Sequence, residues 1–146
     1  MDYKKLAATL KEHEGKVVVG GRHRAYKDTK GILTLGYGRN IEDSGISEGE
    51  AEILLCNDIA DREAKLRHLI PFWFALSEGR QRILCEMAFQ LGVQGLLGFK
   101  NFLSACANQD WQKAEKEGLD SIWAKVDSPS RAKSLMKALR EDGDPS

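Results

Sequence analysis

Residues 14–38 read EGKVVVGGRHRAYKDTKGILTLGYG, and the rest of the chain is read outward from this stretch. It holds two carboxylates, Glu14 and Asp28, and a threonine, Thr34. Upstream, residues 2–14 have helical spacing: Leu6, Leu10 and Glu14 fall at i, i+4 and i+8, on one face, and Gly15 stops the helix. The face expected to bury two leucines thus ends in a carboxylate. Within the stretch, Val17–Val19 and Arg24–Tyr26 read as short strands around Gly20-Gly21. Asp28-Thr29-Lys30-Gly31 has turn chemistry, and Ile32–Tyr37 alternates as a strand. These predict a small three-stranded antiparallel sheet. With Thr29-Lys30-Gly31 as the hairpin loop, Asp28 faces Ile32 and Tyr26 faces Thr34. Asp28 and Thr34 then share a face, about 7–8 Å apart by backbone.

Downstream, Asn40–Gly45 reads as a polar connection. Ser47-Glu48-Gly49-Glu50 is a capping box opening a helix that runs to about Ile70, before Pro71. Its apolar stripe of Ala51, Leu55, Ile59, Leu66 and Ile70 is broken by Asp61-Arg62-Glu63, a pattern suited to bridging two lobes. Phe72-Trp73-Phe74 follows, and Ser77 caps a helix that is apolar nearly all round through Leu91, central to the larger lobe and ended by Gly92. Shorter helices are expected over 98–107, 110–117, 119–124 and 128–139. The last opens with a cap serine and proline at its first position, Ser128-Pro129. The tail EDGDPS is expected to fray. No internal repeat or low-complexity segment is present.

The chain has 146 residues, with 22 basic and 22 acidic, so net charge selects no partner. Charge is unevenly placed. Lys16, Arg22, Arg24, Lys27 and Lys30 face one acid, Asp28, while residues 42–63 hold eight acids against Arg62. The basic edge beside the two carboxylates suits an anionic polymer, or is simply a solvated loop. The opening MDYKKLAATL lacks the apolar run of a signal peptide, and no segment has the length of a membrane span. Cys56, Cys85 and Cys106 are widely spaced among apolar residues, so buried free thiols in a reducing compartment are expected. His13, His23 and His68 have no ligand spacing, and no metal is expected.

Glu14 reads as a general acid. It sits at the negative end of a helix, on a face expected to meet protein, and both settings disfavour a charge. A protonated glutamate donates to a leaving-group oxygen. Taken alone, a glutamate near a helix end is usually a solvated residue. Asp28 reads as the base, against the ordinary alternative of an aspartate that satisfies turn amides. Two carboxylates flanking a sugar linkage are what glycoside hydrolysis requires.

Glu14-Gly15, Tyr26-Lys27-Asp28-Thr29-Lys30-Gly31 and Leu33-Thr34-Leu35-Gly36-Tyr37-Gly38 together resemble the active-site signature of the phage-type (T-even-like) lysozymes of glycoside hydrolase family twenty-four. Ile46-Ser47, Met87-Ala88-Phe89-Gln90-Leu91-Gly92, Gly98-Phe99, Trp111, Trp123 and Pro129-Ser130-Arg131-Ala132 follow in the family order, so the resemblance covers nearly the whole chain. It implies that Glu14 is the acid, Asp28 the base, and Thr34 a holder of the attacking water. It implies inverting hydrolysis of the β-1,4 bond between N-acetylmuramic acid and N-acetylglucosamine in bacterial peptidoglycan, without a cofactor. Arg131 matches an arginine that pairs with the catalytic glutamate. Asn40, Phe89, Gln90, Phe102 and Trp123 match substrate-side positions, Asn40 and Phe102 with changed residue types. For Phe89, Gln90 and Trp123 the alternative is plain core packing, which for Phe89 reads equally well.

The sequence also departs from the family. Thirteen residues separate Glu14 from Asp28, an excess placed around residues 18–24 that lengthens the first hairpin. Arg39 stands where T-even-type enzymes have a histidine with an ion-pair partner. The neutral net charge predicts a weaker, less salt-dependent attraction to the wall.

The expectation is therefore an α+β, lysozyme-like fold. A β lobe (15–46) is joined by a long helix (47–70) to a helical lobe (1–14 and 71–146), the whole forming one domain with its cleft between lobes. The expected function is that of a monomeric endolysin. It waits in the host cytoplasm, is released by a holin, acts on peptidoglycan, and neither inserts in a membrane nor binds nucleic acid. Two alternatives stay open: a lytic transglycosylase, and a catalytically silent wall-binding module or antitoxin-like partner. A helical nucleic-acid binder is disfavoured by zero net charge and the lack of a basic stripe.

Overall fold

The computed structural model describes residues 1–142. The chain divides into two compact units within one continuous helix, after Leu54.

The first unit opens with α1 (Tyr3–His13), capped by Asp2, whose carboxylate accepts the Lys5 amide at 3.0 Å. α1 belongs to this unit, whereas the sequence reading had grouped residues 1–14 with the helical lobe. It buries no residue: Leu6 and Leu10 are both 43% exposed, contrary to the buried leucine face expected. Helical spacing aligned them, but no element of the same unit packs closely along that face.

The β structure is two small sheets rather than one. β1 (Val18–Val19) and β2 (Arg22–His23) form an isolated hairpin with Val19 opposite Arg22. Gly20 and Gly21, both at positive φ (60° and 75°), make its two-residue turn, the backbone that matches strand twist. The excess residues between Glu14 and Asp28 thus form a self-contained hairpin. The second sheet is β3 (Tyr26–Lys27), β4 (Leu33–Leu35) and β5 (Arg39–Asn40), ordered β3-β4-β5 and antiparallel. Its third strand lies where a polar connection was expected to begin. That connection also holds a helical turn, α2 (Ile41–Ser44), before α3 (Glu48–Leu69). The capping box closes in both directions: the Glu50 amide donates to Ser47 Oγ at 3.1 Å and the Ser47 amide to Glu50 Oε1 at 2.9 Å.

The second unit contains the apolar core. After the end of α3 come a 3₁₀ turn (Trp73–Ala75), α4 (Glu78–Leu97), α5 (Lys100–Ala107), α6 (Trp111–Leu119), a π turn (Trp123–Asp127) and α7 (Pro129–Glu141). Leu66, Trp73, Ile83, Leu84, Met87, Leu96, Leu135, Met136 and Leu139 are almost fully enclosed. α4 is the central helix, capped by Ser77 at 3.2 Å as expected and broken at Gly92 (φ 75°, ψ 160°). The chain turns helical again to Leu97, a segment the spacing did not reveal.

Arg80 ties the start of α4 to the end of α7. Its Nε donates to the Leu139 carbonyl at 2.8 Å, and its guanidinium stacks 3.7 Å from the Trp111 ring centre. Asp142, left-handed at the end of α7, accepts from Ser77 Oγ at 2.5 Å. The expected fraying of the tail concerns 143–146 in its greater part, which lie outside the described residues.

Two further expectations change. Ser128 does not cap α7: Pro129 does stand at the helix start, but the Ser128 hydroxyl accepts from Gln90 instead. Of the three cysteines, Cys106 is buried, Cys85 half-buried and Cys56 exposed, so the expectation of three buried thiols fails at Cys56. Cys56 lies on the part of α3 where residues 52–60 are all exposed, whatever their polarity. Among the described residues no helix is long and apolar enough to cross a membrane.

Candidate active site

Glu14 follows the last turn of α1. Its amide still closes a helical bond to the Leu10 carbonyl at 2.8 Å, while its own backbone is already extended (φ −80°, ψ 145°). This turns the side chain off the helix and onto the backbone of Gly38. A methyl group built on Gly38 would lie 2.8 Å from Glu14 Oε2 and 3.2 Å from Cδ, so the carboxylate rests in the space a side chain would fill. Tyr26 anchors the same corner, its hydroxyl donating to the Gly15 carbonyl at 2.6 Å. Glu14 is exposed, so the face expected to meet protein meets solvent instead.

Asp28 begins the β3–β4 turn. Its amide donates to the Ile32 carbonyl at 2.9 Å, and its carbonyl accepts from the Gly31 amide at 2.9 Å, so Thr29-Lys30-Gly31 is the loop. Oδ1 accepts the Lys30 and Ile32 amides at 2.8 and 2.9 Å, so one carboxylate oxygen is committed to the turn. Oδ2 has no partner among the described residues. The register places Tyr26 opposite Thr34 and Thr34 opposite Asn40. Thr34 is the one polar residue buried among those described, at 4% exposure. Its hydroxyl donates to the Ile32 carbonyl at 2.9 Å, leaving its lone pairs as acceptors.

Asn40 is half-buried, and its side chain caps α2: Oδ1 accepts the Asp43 amide at 2.9 Å and Nδ2 donates to the Asp43 carboxylate at 3.0 Å. Its amide thus has a local structural use. Arg39, beside it, grips Glu50 through two parallel bonds of 2.9 and 2.7 Å and also donates to the Gly45 carbonyl at 3.2 Å. The Arg39 guanidinium, then the Ser47 amide and hydroxyl, hold the Glu50 carboxyl down at about 2. β5 is thereby tied to the start of α3. Gly38, Tyr26 and this clamp were not assigned roles from the sequence. Gly38 stood inside the quoted motif, but only coordinates reveal which side chain rests on it.

In the second unit, Phe89 is half-buried, and the Arg62 guanidinium lies 4.2 Å from its ring centre. Phe89 and Arg131 line a cavity of about 660 Å³ with Trp73, Cys85 and Glu86. Arg131 is exposed and pairs with Glu86 at 3.8 Å. Gln90 is exposed and doubly fixed: it donates to Ser128 Oγ at 2.9 Å and accepts the Trp123 indole N–H at 2.9 Å. Trp123 is 3% exposed, so it orients Gln90 from beneath and presents no surface of its own to a ligand. Phe102 is 1% exposed, edge-on to Phe99. It is a core residue, which corrects its assignment as a substrate contact: an aromatic on the inner face of α5 is covered by its neighbours. Among the described residues no group of three His, Cys, Asp or Glu side chains gathers where it could hold a metal.

Comparison with known proteins matches the sequence to a family. The phage lysozyme family model aligns with residues 12–141. The pre-baseplate central spike protein Gp5 of Enterobacteria phage T4 is 31% identical over 146 residues, covering 81% of this chain and 24% of the spike protein. The chain thus spans about a quarter of that relative's length. The probable T4-type lysozyme 1 of Dictyostelium discoideum is 25% identical over 149 residues, covering 82% of this chain and 87% of the relative. The match runs from just before Glu14 to the last residue of α7 and takes in Asp28 and Thr34, and on that extent the chain belongs to the phage lysozyme family.

Proposed function

We propose that the protein is a muramidase that hydrolyses the β-1,4 bond between N-acetylmuramic acid and N-acetylglucosamine in bacterial peptidoglycan, with inversion, and that it serves as an endolysin. The observation that carries the reading is the pairing of acceptors on the Asp28 face. The Thr34 hydroxyl spends its one hydrogen on a bond to the Ile32 carbonyl, and Asp28 keeps Oδ2 free of the turn amides. A water between them donates one hydrogen to each, so its lone pair is left for the anomeric carbon. As the water attacks, Asp28 takes the proton; Glu14 gives its own to the departing sugar oxygen. The Asp28 carboxylate is fixed by two amides of its own turn, which suits a positioned base. The missing side chain of Gly38 leaves the space that the Glu14 carboxylate occupies.

The reaction needs no cofactor. Release from the cytoplasm would fall to a holin, and a monomer suffices for the chemistry. The likeness to a spike protein favours a second setting for the same chemistry, delivery by an assembled particle, and detection of the chain in purified particles would favour that setting.

The test is a peptidoglycan digest in heavy-oxygen water, analysed by mass spectrometry. Labelled reducing muramic acid ends are expected, with the α anomer formed first. Anhydro-muramic ends would replace hydrolysis by transglycosylation. Glu14→Gln and Asp28→Asn should each slow turnover by about two orders of magnitude or more. Walls cleared equally slowly by wild type and Glu14→Gln would leave only a binding module.

A further inference from the structure

One member of the basic edge, Lys16, is not used by the chemistry above and meets an exposed aromatic, Tyr37, together with Lys11 of α1. Tyr37 is 41% exposed and immediately precedes Gly38, the seat of the Glu14 carboxylate. Lys11 and Lys16, on either side of Glu14 in sequence, place their ammonium groups 5.3 and 5.6 Å from the Tyr37 ring centre. His23, from the extra β1–β2 hairpin, meets the same ring edge-on at 5.0 Å between centres. Among the described residues neither lysine has an acidic partner within ion-pair distance. Ammonium groups over a tyrosine ring are held weakly, by about 0.5–1 kcal/mol at exposed sites, so they stay available to an anion.

We infer that Lys11, Lys16, His23 and Tyr37 form a binding subsite for a phosphate group carried by a polyol-phosphate polymer attached to the wall glycan. This rests on the reading of Glu14 as the proton donor to that glycan. Lysine ammonium groups bind phosphate as point charges, without a fixed fork geometry. Where this unit binds a carboxylate, at Glu50, it uses the flat fork of Arg39. Around Tyr37 it uses compact ammonium charges, which suit a tetrahedral oxyanion approached from several sides. The Tyr37 hydroxyl adds a donor. The place of the cluster beside the Glu14 seat puts such a polymer next to the bond to be cut. The β1–β2 hairpin, which brings His23, would then be a specificity element rather than a spacer.

The experiment compares wild type, Lys11→Gln/Lys16→Gln and Tyr37→Leu on walls bearing a polyol-phosphate polymer and on the same walls stripped of it by hydrofluoric acid. The expected result is a KM raised about tenfold for the variants on polymer-bearing walls, less than about twofold on stripped walls, and erased by salt for wild type. Melting temperature monitors folding. An equal rise on both substrates would overturn the phosphate assignment, and no rise on either would make the cluster ordinary solvated surface. Lysine-dependent binding to phosphatidylglycerol vesicles, or to single-stranded DNA of equal charge, without a wall effect would move the site to another partner and overturn the proposal. Hydrolysis of stripped walls by wild type is the separate check: its absence would remove the muramidase reading itself.

Discussion

Replacing Gly38 by alanine separates the seat of the acid from the strain of its backbone. Gly38 has φ +82°, where a side chain costs about 1–2 kcal/mol. The new methyl would also lie 2.8 Å from Glu14 Oε2. Ordinary contact begins near 3.4 Å, so the carboxylate must retreat by at least about 0.6 Å. Because Oε2 is the far end of a flexible side chain, it moves and the backbone stays. The stability loss is then that of the positive φ alone, a fall of a few degrees in melting temperature. Activity should suffer more, since a displacement approaching 1 Å in a reacting group costs on the order of 10²-fold. Gly36 is the control, with φ +67° and open space around its Cβ position. Gly36→Ala should lower the melting temperature by a similar amount while clearing walls within about twofold of wild type. Thermal melts and initial clearing rates, taken well below both midpoints, make the comparison. Equal clearing by the two variants would refute the Gly38 seat as a determinant of catalysis.

Further expectations concern the rest of the molecule. The Glu50 carboxyl is held at about 2 rather than 4.5, so the Arg39–Glu50 clamp contributes above about pH 4.5 and is lost as pH falls toward about 2. Glu50→Gln should flatten that acid limb in melting experiments, and an unchanged limb would dismiss the clamp. Phe102→Ala should cost about 3–5 kcal/mol as a core truncation while leaving KM at low temperature unchanged; a raised KM in a folded variant would restore Phe102 to the substrate side. Burial pushes the Cys85 thiol up to about 11, helped by Glu63, and the Cys106 thiol to about 12, against a small opposing effect of Arg80. A maleimide at neutral pH should therefore label exposed Cys56 first, as peptide mapping would show. Early labelling of Cys106 would contradict its enclosure.

Local rules account for what the sequence determined alone. The Ser47–Glu50 capping box, the cap at Ser77, the break at Gly92 and the Asp28–Gly31 turn depend on residues within four positions of one another, and all are present. The turn then set the register that pairs Tyr26 with Thr34, so the face shared by Asp28 and Thr34 was legible before any coordinates. Contacts between distant residues were not. Helical spacing aligned Leu6 with Leu10 but could not say whether anything covers them, and they are exposed. The same kind of pattern could not distinguish Phe102 in the core from Phe89 at a cavity. Arg39 was legible only as a missing histidine, because its partner Glu50 lies eleven residues away across a helical turn. The carboxylate of Glu14 settles on Gly38, twenty-four residues on, through a contact that leaves no periodicity in the chain. Periodicity and capping report a residue's neighbours along the backbone; which side chain fills which space is decided only when the elements pack.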